Sequence, residues 1–282
     1  MKKDQMYPGR RAMLRVAACL GAATAVRFLG PDPAQTPGRY PSGPPPAAGP
    51  QAGAPVRFSA YRLRPMTAYT PPRFRPLRPP VRRRPFLRMG GIGRSMVLTF
   101  DDGPDPRYTP DILRTLRRYD VRAMFFVCGE MAVENRDLLR EMAEDGHVVG
   151  NHTWSHPLIP RLSPAGIRAE LGRTSDVVER TIGHAPDWYR APYGAWNRRS
   201  FEIGAELGME PLAWTLDTLD WREPGTGAIV RRVRRGAGPG VVVLSHDAGG
   251  NRKQSVEALR TYLPELLDAG YRITVPSAVV RG

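Results

Sequence analysis

Met96-Val97-Leu98-Thr99-Phe100-Asp101-Asp102-Gly103-Pro104 is the stretch on which the fold turns. Its apolar half reads as a buried strand, and it stops abruptly at two adjacent carboxylates and a Gly-Pro break. Two anions side by side repel each other and need a reason to coexist. A metal ion that takes one and leaves the other free as a base supplies that reason. Its further ligands are on offer in His152-Thr153-Trp154-Ser155-His156, where two histidines four apart reach one ion from a single helical turn or a compact loop. Asp102, His152 and His156 then make a three-ligand site with positions left open for water and substrate, the layout of a catalytic metal centre. Each piece alone has an ordinary reading, a turn or cap for the Asp pair and a surface helix for the histidines. Their order beside strand ends is what joins them.

Outward from this stretch, strand-like runs alternate with helical ones, which predicts an α/β fold with a largely parallel sheet. The strand candidates are 96–100, 123–127, 148–150, 188–189, 212–216, 241–245 and 271–274. The clearest helix is 164–181, with Ser163 as its cap, Pro164 at its first position and Gly183 past its end. A second runs over 254–269, with Leu259, Leu263, Leu266 and Leu267 inward and Gly270 as its stop.

Three later segments each follow a strand candidate: Arg190-Ala191-Pro192-Tyr193-Gly194, Asp217-Thr218-Leu219-Asp220-Trp221 and Leu244-Ser245-His246-Asp247. With these in view the chain resembles the NodB-homology polysaccharide deacetylases, carbohydrate esterase family 4. That family's five ordered motifs are Thr-Phe-Asp-Asp-Gly, His-Ser/Thr-x-x-His, Arg-x-Pro-Tyr, Asp-x-x-Asp-Trp and Leu-x-His. All five occur here in order over 99–246. The resemblance covers roughly 94–282 and says nothing of 1–90.

The resemblance implies a distorted (β/α) barrel of about seven strands, a domain over 91–282, and hydrolysis of an acetyl group from an N-acetylated sugar. It implies a divalent metal on Asp102, His152 and His156, zinc by its donor set, with cobalt or nickel as substitutes. Asp101 is then the base, oriented by Arg190, and His246 the general acid, kept protonated by Asp220. The backbone N–H of Tyr193 joins the metal as oxyanion hole, and Trp221 and Leu244 line the acetyl pocket. Outside the motifs, His147 and His184 read as ordinary structural or surface residues. Asp217 matches its motif but reads as a cap or turn former, and Asn151, Thr153 and Ser155 read as supports for the ligands.

The charge is uneven. Residues 1–90 hold 17 Lys and Arg against two acids, and residues 91–282 balance 25 against 25. A nucleic-acid-binding domain is therefore not expected. Residues 1–30 read as a twin-arginine-like export signal: Lys2, Lys3, Arg10 and Arg11 precede an apolar stretch at 16–26, and Ala23-Thr24-Ala25 offers a cleavage site. Eleven residues are too few to span a bilayer, which takes about 20. Residues 31–90 include 16 prolines and read as a disordered Pro/Arg-rich linker, either a solubilising tether or an adhesive for anionic wall polymers or a membrane surface. Of the two cysteines, Cys19 leaves with the signal and Cys128 reads as a small core residue. The expected protein is an exported monomer, extracellular or wall-associated, acting on polysaccharide. Three functions compete: an N-deacetylase on peptidoglycan or chitin-like glycan, an O-deacetylase on acetylated xylan, and an inactive wall-binding relative. The intact motifs and the lack of a visible carbohydrate-binding module favour the first.

Overall fold

The computed structural model describes residues 78–276. The export signal at 1–30 and the linker over 31–77 lie outside the described residues. Within them the chain builds β1 (Ser95–Asp101), α1 (Thr109–Arg118), β2 (Met124–Val127), α2 (Gly129–Glu134), α3 (Arg136–Glu144), β3 (Val148–Asn151) and α4 (Pro164–Ile182). There follow β4 (Trp188–Tyr189), α5 (Arg198–Glu206), β5 (Glu210–Pro211), β6 (Leu216–Asp217), α6 (Thr226–Gly236), β7 (Val242–His246), α7 (Lys253–Asp268) and β8 (Arg272–Ile273). No helix among the described residues is long and apolar enough to cross a membrane.

The sheet runs β5-β4-β3-β2-β1-β7-β6 with every pair parallel, and β8 pairs beside the start of β1. A flat seven-strand sheet would set its edges about 29 Å apart at about 4.8 Å per strand. Residues 212–215, the link between edge strands β5 and β6, span at most about 18 Å. The sheet must therefore curl towards closure, which is the distorted half-barrel that the resemblance implies.

Alternation along the strands then decides what faces inward. On β1, Met96, Leu98 and Phe100 join the core beneath the helices, together with Leu113, Phe125, Val243, Leu259 and Leu263. Val97 faces the barrel interior with Met124, Phe126, Trp188, Leu212 and Val242. The same period carries Thr99 and Asp101 to the interior face. Asp101 stands in register with Phe126 of β2 and His246 of β7. Strand ends thus deliver the motif residues to one mouth of the barrel.

Helix α4 begins and ends as its sequence dictates: the Ser163 hydroxyl accepts from the Gly166 N–H, and Gly183 takes the left-handed conformation (φ 86°) past the last turn. Two expectations need correction. The run 212–216 is not one strand: 212–215 are the link between β5 and β6, and only Leu216 belongs to β6. Its Leu212 and Ala213 carbonyls turn inward to a buried arginine instead of to a neighbouring strand. The linker expected to reach residue 90 also ends earlier. Phe86 bridges to Leu212 and Arg88 to Val241, and Met89 is buried in the barrel interior. Residues 82–89 form a strap across the seam that the curled sheet leaves open, and pairing there supplies backbone partners that composition alone did not foretell.

Candidate active site

The interior position of Asp101 puts a carboxylate where almost no water reaches, with 2% of the residue exposed. Its partner is Arg190, which follows β4 and is wholly buried. Arg190 Nη1 donates to Asp101 Oδ1 at 2.6 Å and to Thr99 Oγ1 at 2.8 Å. Its Nε donates to the Leu212 carbonyl at 3.1 Å and its Nη2 to the Ala213 carbonyl at 2.9 Å. The guanidinium also lies 4.1 Å from the centre of the Phe126 ring. Four acceptors and two aromatic rings, Phe126 and the more distant Trp214 at 5.7 Å, leave it a single orientation. Burial pushes the Asp101 carboxyl above the usual carboxylate range, against the pull of Arg190. A carboxyl made more basic by burial, with Arg190 fixing its orientation, is suited to take a proton.

Asp102 would face the helices if β1 simply continued. Instead its φ of 78° turns the chain and brings its carboxylate back over the mouth. Such a conformation costs of order 1 kcal/mol or more away from glycine, and Asp is among the residues that tolerate it. Asp102 Oδ1 lies 3.5 Å from His152 Nε2 and 3.3 Å from His156 Nε2. That oxygen is buried without a hydrogen-bond partner, and the three side chains form the one group among the described residues able to hold a metal ion. The His152 Nδ1 lies 2.8 Å from the Arg190 carbonyl, so Nδ1 carries the proton and Nε2 is left bare. Burial lowers the His152 pKa to about 3, which keeps the imidazole in its neutral, ligating form. A carboxylate oxygen with no donor, facing the bare Nε2 of His152 and the Nε2 of His156, is a donor set that a divalent cation satisfies.

The histidines sit on a compact loop and not on a helix, with positive φ at Thr153 (69°) and His156 (56°). Helix α4 carries the scaffold for it. Asn151 donates to the Leu171 carbonyl and Ser175 Oγ while accepting from the Thr153 N–H. The Glu170 carboxylate accepts from the Trp154 N–H, the Ser155 N–H and the Ser155 hydroxyl. The supporting roles expected for Asn151, Thr153 and Ser155 are thus visible as bonds.

On the opposite side His246 ends β7 beside Asp101. Its Nδ1 lies 2.7 Å from Asp220 Oδ1, and its backbone N–H donates to Asp220 Oδ2 at 2.9 Å. Burial alone would lower the His246 pKa, but the Asp220 hydrogen bond and charge, with Asp102 and Asp101 nearby, raise it to about 9. Asp220 is itself held by the Ser255 hydroxyl at 2.6 Å. Asp217 forms the turn expected of it, accepting from the Leu219 N–H and the Trp221 indole N–H. Tyr193 (φ 61°) edges onto the His156 ring at 4.6 Å and is exposed, as is Trp221, while Leu244 is buried on the interior face of β7. Cys128 is a free, buried thiol, and His147 packs in the core against Phe125. Among the residues that sequence reasoning missed, Asp247 stands out. It is buried, accepts from the Gly103 N–H and the Thr109 hydroxyl, and leaves no room for a side chain at 103: a Cβ there would lie 2.1 Å from its Oδ2. Its place directly after His246 was the only signal available. Ser255 had none, because its contact with Asp220 crosses from α7.

The family profile described as polysaccharide deacetylase matches residues 90–212. A peptidoglycan-N-acetylglucosamine deacetylase of Bacillus cereus is 36% identical over 184 residues, covering 64% of this chain and 67% of that protein. The chain belongs to the polysaccharide deacetylase family. A chitooligosaccharide deacetylase of Bradyrhizobium sp. is 37% identical over 192 residues, covering 64% of the chain and 88% of that protein. The chain spans 37% of the length of a Listeria monocytogenes peptidoglycan deacetylase with which it shares 36% identity. Among solved structures, a peptidoglycan N-acetylglucosamine deacetylase bound to an N-oxidanyl-benzamide superposes with a TM-score of 0.66 at 34% identity, over 68% of this chain and 91% of that one. The chain is an enzyme of this class, a polysaccharide N-deacetylase.

Proposed function

We propose that the chain is an exported, zinc-dependent hydrolase that removes N-acetyl groups from N-acetylglucosamine units of peptidoglycan or a chitin-like glycan and releases acetate. One observation carries this reading: a buried Arg190–Asp101 pair and a partly buried Asp220–His246 pair flank the unpartnered Asp102 oxygen and its two histidines. A divalent ion, when held by Asp102, His152 and His156, supplies Lewis acidity for the acetyl carbonyl and for the attacking water. Asp101 removes the proton of that water as its oxygen bonds to the carbonyl carbon. The Tyr193 N–H stabilises the charge that develops on the carbonyl oxygen. His246, with Nδ1 engaged by Asp220, hands the proton on Nε2 to the departing nitrogen as the carbon–nitrogen bond breaks. Leu244 and Trp221 bound the acetyl group. The names of several relatives, peptidoglycan-N-acetylglucosamine deacetylases among them, support an amide substrate over an acetyl ester.

Acetate release measured side by side on peptidoglycan, chito-oligomers and acetylxylan tests this. Release from one of the first two, abolished by exhaustive chelation and restored by zinc, is the expected result. Preferential release from acetylxylan overturns the substrate, and full release after chelation overturns the metal.

Export rests on the basic and apolar pattern at 1–30, and attachment to anionic wall polymers or a membrane surface on the 11 arginines of 31–90, against one acid. N-terminal sequencing of protein recovered outside the cell is expected to begin just past Ala25. An intact Met1 in protein confined to the cytoplasm would overturn export.

A further inference from the structure

We propose that the strap at 82–89, which precedes the family-matched residues 90–212, is a positioning element for catalysis: it fixes the carbonyls that grip Arg190, and Arg190 fixes Asp101. The inference rests on Asp101 being the base. Phe86 pairs with the link between β5 and β6 on both sides, its N–H donating to the Pro211 carbonyl at 2.9 Å and its carbonyl accepting from the Ala213 N–H at 2.8 Å. Between those two bonds the chain turns its Leu212 and Ala213 carbonyls onto Arg190. The strap is pinned at each end. Arg82 makes a two-pronged pair with Glu210 at 2.9 and 2.8 Å, and its guanidinium covers the Phe86 ring at 4.7 Å. That ring meets Trp188 edge-on at 6.0 Å, and the Met89 N–H donates to the Gly240 carbonyl at 2.9 Å.

Two of the four acceptors that orient Arg190 therefore belong to a segment that the strap holds on one edge, with the Tyr189 carbonyl of β4 accepting from the Leu212 N–H at 3.0 Å on the other. The remaining two are Thr99 and the base itself, which leave the guanidinium free to swing in its plane. Such a swing moves Asp101 relative to water and substrate, and a displacement of about 1 Å at a reacting group can cost about 10²-fold in rate. None of the strap's side chains is among the groups that hold the metal or move a proton. Their effect is expected in turnover alone.

The test uses the full chain with chito-oligomer substrate, and places Phe86→Ala, Phe86→Tyr and Arg82→Gln in both the native and the Asp101→Asn background. Phe86→Ala and Arg82→Gln are expected to lower kcat by about 10-fold while KM and zinc content hold, and Phe86→Tyr to restore it. In the Asp101→Asn background, where no base is left to misplace, neither should reduce the residual rate further. Equal losses in both backgrounds, a change in KM or zinc content alone, or undiminished kcat in folded variants would each overturn the proposal. Should Phe86→Ala fail to fold, the milder Arg82→Gln decides. Full activity of Asp101→Asn with an unaltered strap would instead overturn the assignment of the base, and the strap's role with it.

Discussion

Asp101→Asn should retain its metal and lose turnover by about 10²–10⁴-fold, whereas Asp102→Asn should lose the metal itself. The two residues are neighbours with the same side chain, and the fold separates their chemistry. Asp101 stays on the interior face of β1, bound through Oδ1 by Arg190. Asp102 is rotated by its positive φ until its Oδ1 lies between the two histidine Nε2 atoms. Asparagine at 101 can still accept from Arg190 but cannot take a proton. It also leaves a buried guanidinium without a counter-charge, and breaking such a pair costs about 3–5 kcal/mol of stability. Rates should accordingly be read well below the unfolding transition, alongside metal analysis of the same preparations. Loss of the ion from Asp101→Asn with retention in Asp102→Asn would reverse the two roles.

His246→Gln should lower amide hydrolysis by about 10²–10⁴-fold, and far less the hydrolysis of a phenyl acetate, whose leaving group departs without a proton. In the native enzyme His246 must be protonated to act, so kcat should fall as pH rises through its pKa. That value is raised to about 9 by Asp220 together with Asp102 and Asp101, after the opposing effect of burial. A cation on Asp102 offsets part of this, so the falling limb of the loaded enzyme is expected at or below about 9. Asp220→Asn removes the main support of the imidazolium and should move that limb to lower pH. A limb that stays in place would exclude His246 as the titrating acid. The same pairing affects folding: a histidine pKa raised from 6.5 adds stability that is complete below about 6.5 and is lost as pH climbs through about 9.

Much of this site was legible in the sequence, because its determinants are local. A buried apolar run that ends in Asp101-Asp102 marks a strand end, and the spacing of His152 and His156 marks a shared ion. Ser163, Pro164 and Gly183 bracket α4 through rules that act within one turn of helix. Period-two alternation on β1 and β7 likewise commits Asp101 and His246 to the same interior face before any partner is known.

Other features depend on where distant segments meet. Residues 212–216 are as strand-like as any run in the chain, yet the curl of the sheet makes 212–215 a link, and Arg190 claims the Leu212 and Ala213 carbonyls. The Pro and Arg content of 82–89 speaks for a linker, but its backbone groups pair with residues more than a hundred positions away, as Phe86 does with Pro211 and Ala213. Ser255 and Asp247 reach the site from α7 and from beyond β7 with no local pattern to announce them. The sequence alone determined most of the strands, the motif order and the bounds of α4, since propensity, alternation and capping act over a few residues. Only the tertiary structure decided which carbonyls orient Arg190, how the barrel seam closes and what holds Asp220, because those contacts exist only after the chain has closed loops whose ends carry no mark of each other.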